Sequence, residues 1–233
     1  VVPFHKNYHP RRWRGFYRFD GGQFSDWFCH TADAAVWSLD LYEPTVIELV
    51  EESGGNDWTT PDGCLVRYEF PKRGKKPPCT FHFGNSNGAI DQKPKDMEWD
   101  YGDKIPSGGT YYKGSKANAY TDNRSNNPRL TNKESMKAFK EDGYPAEKYA
   151  RVSGGPFAEW VRAIKGEGPE PGSNFDYGSR LTEVACLGVL AARFGGRIEW
   201  DSKNMKATNR PELDPYIKEP VRKGWEYGED LWA

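Results

Sequence analysis

A histidine set between two carboxylates at helical spacing is the arrangement in this sequence best suited to moving a proton. It lies in the run Gly21-Gly22-Gln23-Phe24-Ser25-Asp26-Trp27-Phe28-Cys29-His30-Thr31-Ala32-Asp33. Asp26 and His30 are i and i+4, and Asp33 is three residues further on, so one continuous helix sets all three on a common face. A carboxylate that accepts a hydrogen bond from an imidazole fixes its tautomer and raises its basicity, which suits His30 to take or give a proton. The same residues also read as a helix N-terminal Asp followed by a partly buried, hydrogen-bonded His, and spacing alone does not choose. A zinc site on these residues lacks a further nearby His or Cys ligand.

Two other segments carry functional side chains. Trp13-Arg14-Gly15-Phe16-Tyr17 puts aromatic faces beside a guanidinium, which suits the apolar faces and hydroxyls of a sugar and equally suits a protein contact. Gly172-Ser173-Asn174-Phe175-Asp176 is a polar turn leading into a helix, and most such turns serve as helix caps. The glycine-rich stretches 107–109 and 114–116 match neither the GxGxxG turn of a dinucleotide-binding unit nor a Walker loop. No GxSxG elbow or HExxH pair occurs.

The elements that must position these residues follow from patterning. Ser25 is a plausible N-cap for a helix over 26–39 with Phe28, Ala32, Ala35 and Leu39 on its apolar face. Short β-prone runs at 45–50, 64–70 and 79–83 read as strands, the last two as a hairpin with a long basic loop. Residues 84–132 are rich in Gly, Asn, Asp, Lys and Pro, with β-prone pieces near 110–112 and 117–121, and are expected to form irregular strands and functional loops. Phe157, Trp160, Val161 and Ile164 fall at i, i+3, i+4 and i+7, an amphipathic helix entered through Pro156. A longer helix over 177–194 stops at Gly195-Gly196, a short strand occupies 197–201, and the polar tail reads as a surface wrap. The first twenty residues read as an extended arm or loop.

Composition bounds the function. The chain has 233 residues, with 33 Lys and Arg against 34 Asp and Glu and a formal net charge of −1, so it exerts no long-range pull on nucleic acid or an anionic membrane. A mean hydropathy of −0.89 with nine Trp and thirteen Tyr describes a folded, loop-rich protein. No run of about 18 apolar residues is present to cross a membrane. The four cysteines, Cys29, Cys64, Cys79 and Cys186, show neither CxxC spacing nor disulfide-scaffold density and are expected to be free thiols. The opening Val1-Val2-Pro3 has no initiator Met and no signal-peptide pattern, and reads as a cut chain.

Taken in order, these motifs resemble one family. Tyr8-His9-Pro10, Trp13-Arg14-Gly15, Phe19-Asp20-Gly21-Gly22-Gln23-Phe24-Ser25-Asp26-Trp27, His30, Asp33 and Trp37 resemble the start of the C-terminal domain of bacterial Gfo/Idh/MocA oxidoreductases. The likeness continues through Tyr68-Glu69-Phe70-Pro71, Glu159-Trp160 to Lys165-Gly166, Ser173-Asn174-Phe175-Asp176-Tyr177 to Leu181-Thr182-Glu183, Trp200-Asp201, Asn209-Arg210-Pro211 and Arg222-Lys223-Gly224-Trp225, essentially the whole chain.

The resemblance implies an α+β fold: a large, mostly antiparallel open sheet with helices packed on one face, as in the dihydrodipicolinate-reductase-like two-domain proteins. Residues 1–233 would then be a single substrate-binding and oligomerisation domain. NAD or NADP would be bound mainly by an N-terminal Rossmann domain or subunit outside this chain, which also holds the family's catalytic Lys. His30 would act as acid or base on the hydroxyl of a sugar or glycoside, Asp26 would orient it, and Arg14, Tyr17 and Asn174 would contact substrate. Thr31 stands where a second His often follows, which makes metal chemistry less expected. The resemblance also implies a homo-oligomer formed through the sheet, in the cytoplasm or the periplasm. Two readings follow: the substrate domain of an NAD(P)-dependent sugar oxidoreductase, or of a relative that cleaves glycosides through transient oxidation, and a non-catalytic carbohydrate-binding or oligomerisation module.

Overall fold

A computed structural model describes residues 3–86, 88–91, 93–149, 152–218 and 221–225. The Val1-Val2 start and part of the expected surface wrap, 219–220 and 226–233, lie outside the described residues. In chain order the helices are α1 (Gly22–Thr31), α2 (Asp33–Leu39), α3 (Lys133–Glu141), α4 (Gly155–Ile164), α5 (Phe175–Phe194) and α6 (Asp214–Ile217). The strands are β1 (Val46–Ser53), β2 (Gly63–Phe70), β3 (Cys79–Ser86), β4 (Thr110–Lys113), β5 (Asn118–Thr121), β6 (Arg129–Leu130), β7 (Arg197–Asp201) and β8 (Lys206–Ala207). The chain is α+β with a mostly antiparallel sheet, the class expected from the sequence. It divides into two compact units, one of Val1–Phe24, Glu43–Asp91 and Cys186–Ala233, the other of Ser25–Tyr42 and Gln92–Ala185.

The first unit is built on a five-stranded sheet in the order β3-β2-β1-β7-β8. The β2–β3 hairpin closes over the basic loop as expected, with Tyr68 opposite Phe81 and Val66 opposite Phe83. Ile47 lies opposite both Tyr68 and Ile198, so one face presents a continuous apolar row, and Ile47, Val66, Tyr68 and Ile198 are wholly buried. The second half of α5 covers this face through Leu187, Leu190 and Ala191. Gly188 makes that approach possible, since a Cβ there would stand 2.0 Å from the Tyr68 hydroxyl oxygen and 2.2 Å from the Phe24 ring. Burial holds the Tyr68 phenol neutral by pushing its pKa well up.

The opposite face is charged. Arg67 pairs with Glu48 at 2.6 Å and Glu69 at 3.2 Å, and Arg197 with Glu199 at 3.6 Å. His82 stands across from Arg67, and desolvation followed by the Arg67 charge lowers its pKa. The segment preceding α1 is the loop of the two forms expected, an arm or a loop. It contains two 3₁₀ turns, Lys6–Tyr8 and Arg12–Gly15, and Tyr8 packs edge-on against Phe16 and Phe19. The Gly21-Gly22 turn into α1 requires glycine: Gly22 has φ of 70°, and a Cβ there would lie 2.6 Å from the Thr60 hydroxyl.

The second unit holds the three-stranded antiparallel sheet β4-β5-β6, which accounts for the irregular strands expected within 84–132. Glu98 ties its end together, accepting from Asn118 Nδ2 and Thr131 Oγ1 at 3.1 Å each. Asn132 caps α3 by accepting from the Ser135 amide. Two expectations are corrected. The helix begins at Gly22, not beside Ser25, and the single helix over 26–39 is two, α1 and α2, parted at Ala32. The four cysteines are free.

Two predictions follow from the first unit. Gly188→Ala should lower stability by about 1–3 kcal/mol in chemical denaturation through overpacking, despite the ~1 kcal/mol that Ala gains over Gly in a helix interior. His82 has a folded-state pKa below its ordinary 6.5, so the unfolded chain binds its proton first and stability falls as pH drops through and below 6.5. His82→Gln should flatten that part of the stability–pH curve.

Candidate functional site

The break between α1 and α2 is imposed by side chains distant in sequence. Ser125 Oγ is within donating distance of the His30 and Thr31 carbonyls, at 3.0 and 3.2 Å, and accepts from the Ala34 amide at 3.2 Å. Thr110 Oγ1 donates to the Thr31 carbonyl at 2.8 Å, and Thr31 Oγ1 to the Asn123 carbonyl at 3.1 Å. Hydroxyls inserted into the helical ladder bend it at this point. Ser125 has a positive φ of 58° and sits in a turn drawn together by Asp122, whose carboxylate accepts from the amides of Arg124 and Asn126 at 2.9 Å each. Those bonds hold the Asp122 carboxyl below its ordinary pKa.

The bend separates the three residues that spacing placed on one face. Asp26 and His30 remain one turn apart on α1, both exposed, with the His30 ring edge-on to Trp27 at 5.4 Å and the Arg124 guanidinium over Trp27 at 5.6 Å. Asp33 opens α2, and its carboxylate accepts a short hydrogen bond from the Tyr177 hydroxyl on α5. Burial first, then this bond, raises the Tyr177 pKa, so the phenol stays protonated and donates. Cys29 is also held as a thiol, by burial and then by the Asp33 charge.

Beside this bond lies a cleft of about 520 Å³ lined by Trp37, Tyr42, Gly172, Asn174, Asp176, Tyr177 and Arg180. Its aromatic rings meet at steep angles: Tyr42 meets Tyr177 edge-on at 6.5 Å, and the Trp37 ring lies tilted 5.1 Å from that of Tyr149, which does not line the cleft. Arg180 sits 5.5 Å over the Tyr42 ring. Trp37 is 52% exposed, an unusual position for so large an apolar surface. Asn174 Oδ1 accepts from the Tyr177 amide at 3.0 Å, so this residue caps α5 and also faces the cleft. The combination of flat apolar rings with an amide, a carboxylate and a guanidinium matches a ligand that has both CH faces and hydroxyls.

Of the five candidate site residues, His30, Asp26, Arg14, Tyr17 and Asn174, only Asn174 lines this cleft, together with Gly172 and Asp176 of the same polar turn; Asp26 and His30 do not line it. Arg14 and Tyr17 belong to the other unit. The Arg14 guanidinium lies 4.6 Å over the Trp13 ring. Tyr17 is a packing residue under Arg193, whose guanidinium is 5.0 Å from the Tyr17 ring, 5.1 Å from Phe194 and 4.9 Å from Tyr216. The void beside Tyr17 measures about 10 Å³, room for one water and no sugar. Trp37, Tyr42 and Arg180 were not identifiable as cleft residues from local pattern, since each is an ordinary helix or turn residue until the chain is folded.

Among the described residues no cluster of three or more His, Cys, Asp or Glu is arranged to hold a metal ion, and no helix is long and apolar enough to cross a membrane. All strand pairings among them are antiparallel, whereas a Rossmann dinucleotide site needs parallel β-α-β crossovers. The described residues therefore form no parallel β-α-β unit of the Rossmann type. Compared with protein-family models the sequence finds no match, and compared with curated proteins it finds none either.

Tyr177→Phe removes the donor that Asp33 depends on in a half-buried setting. It should destabilise the protein by about 1–3 kcal/mol, the range for leaving a charged acceptor without its partner, as read by urea denaturation.

Proposed function

We propose that this chain binds a sugar or glycoside and serves as the substrate domain of an NAD(P)-dependent oxidoreductase that oxidises a ligand hydroxyl. The observation that carries the reading is the Trp37, Tyr42, Tyr177 and Asn174 cleft with Arg180 and Asp176 at its wall. An exposed indole beside hydrogen-bonding groups stacks on the CH face of a pyranose while the polar groups take its hydroxyls. The near-neutral net charge is consistent with a neutral ligand. The ordered motifs that resemble the Gfo/Idh/MocA C-terminal domain, and the antiparallel sheet with α5 packed on one face, support the same assignment.

In this reading the hydride acceptor is held by another domain or subunit. His30 takes the proton of the reacting hydroxyl, and Asp26, one turn before it, orients the imidazole. Because Asp26 and His30 do not line the cleft, a second reading also has an observation in its favour: a carbohydrate-binding module without redox activity.

Calorimetry of the chain against a panel of monosaccharides and methyl glycosides tests the binding claim. Trp37→Ala should weaken the best ligand by about tenfold or more, ~1.4 kcal/mol per tenfold, and no saturable binding by any member would overturn it. Joined to its nucleotide-binding partner, the protein should reduce nicotinamide with the sugar that binds, and His30→Ala should abolish reduction while leaving binding intact. Binding without any reduction would select the module.

A further inference from the structure

α4 is an amphipathic helix turned outward. Its apolar stripe is exposed, Phe157 by 82%, Trp160 by 62%, Val161 by 43% and Ile164 by 66%. Its polar side is the one tied to the rest of its unit: Glu159 Oε1 accepts from the Gly172 amide at 3.0 Å, and the Arg162 guanidinium donates to the Ser153 carbonyl at 3.0 Å. An amphipathic helix in a closed domain does the reverse. The inversion leaves a contiguous apolar surface without a cover among the described residues, and such surfaces mark association sites.

The stripe is self-complementary. A two-fold axis through the middle of α4, between Trp160 and Val161, sets a second copy antiparallel and pairs residues whose numbers sum to the same value. Trp160 then meets the Val161 of the second copy, and Phe157 meets its Ile164, a larger side chain against a smaller one at every contact. No charged residue lies on the stripe, so it offers nothing to select a charged partner. Scaled by their exposures, these four side chains offer roughly 500 Å² per copy, or roughly 1,000 Å² for the pair, about the least that a specific interface buries. An isologous contact of this kind closes with two copies and leaves no open end.

We infer that α4 is a homodimer interface, formed by antiparallel packing of Phe157, Trp160, Val161 and Ile164 against the same residues of a second copy. This is separate from the sugar reading and does not depend on it, and it uses a different surface from the sheet.

Sedimentation velocity of the 233-residue chain at tens of micromolar should give a dimer. Trp160→Lys alone and Val161→Glu alone should each give a monomer, because each homodimer would bury two unpaired charges. Mixed in equal amounts they should re-form a dimer, since the axis sets the new Lys opposite the new Glu and leaves a native Val–Trp pair at the other contact. Circular dichroism of each variant checks folding. Phe157→Lys with Ile164→Glu is the second matched pair, read in the same way if either of the first variants fails to fold. A monomeric wild-type chain, a dimer that both single variants leave intact, or a mixture of folded variants that stays monomeric would each overturn the inference.

Discussion

Asp33 meets Tyr177 through a hydrogen bond that joins two helices distant in sequence, and the cleft depends on it. The carboxylate stands in the first turn of α2, where the helix dipole favours a negative charge. The phenol stands in the first turn of α5, kept protonated by burial and by the carboxylate it serves. With this bond made, Trp37 and Tyr42 from one segment and Asn174, Tyr177 and Arg180 from the other converge on one concavity. The bond depends in turn on the bend at Ala32, which lets Asp33 leave the face that Asp26 and His30 share and turn toward α5. Ser125 and Thr110 make that bend by offering hydroxyls where a straight helix would use its own amides.

The sheet follows a different rule. Its two faces are specified by strict alternation along β2, where Cys64, Val66, Tyr68 and Phe70 are buried and Arg67 and Glu69 are not. The apolar face admits a helix only because Gly188 carries no side chain, so a single hydrogen atom sets the helix-to-sheet distance. The other face is laced by Arg67 and Arg197 with three glutamates. Each half-exposed pair contributes little alone, but together they make a one-residue slip of register costly, because it would carry the charges into the core.

Local signals made much of the fold legible. The runs that became β1, β2, β3 and β7 are β-branched or aromatic; β1 ends before Gly54, β2 before Pro71, β7 begins after Gly196, and α5 ends where Gly195 and Gly196 stop it. What was not legible is nonlocal or weakly patterned. β6 and β8 are two residues each, too short to alternate, and α3 is mostly Lys, Glu and Ser, with only Met136, Ala138 and Phe139 apolar. The bend at Ala32 could not be read, because Ser125 lies 94 residues from the carbonyl of Thr31 that it bonds. Asn174 was legible as a helix cap, which the structure shows, and its side chain also lines the cleft. Tyr17 illustrates the limit of composition: an aromatic beside arginines suited a sugar, but its ring is occupied by Arg193.

In the proposed reading, the cleft built around the Asp33–Tyr177 bond is the place where this chain would meet a sugar. The most direct test is nuclear magnetic resonance of the chain titrated with methyl glycosides, following the Trp37 indole N–H assigned with Trp37→Phe. The account predicts a saturable shift of Trp37 together with the Arg180 side chain, while the indoles of Trp58 and Trp160 stay in place. A ligand that binds and shifts other residues but leaves Trp37 and Arg180 unmoved would contradict it.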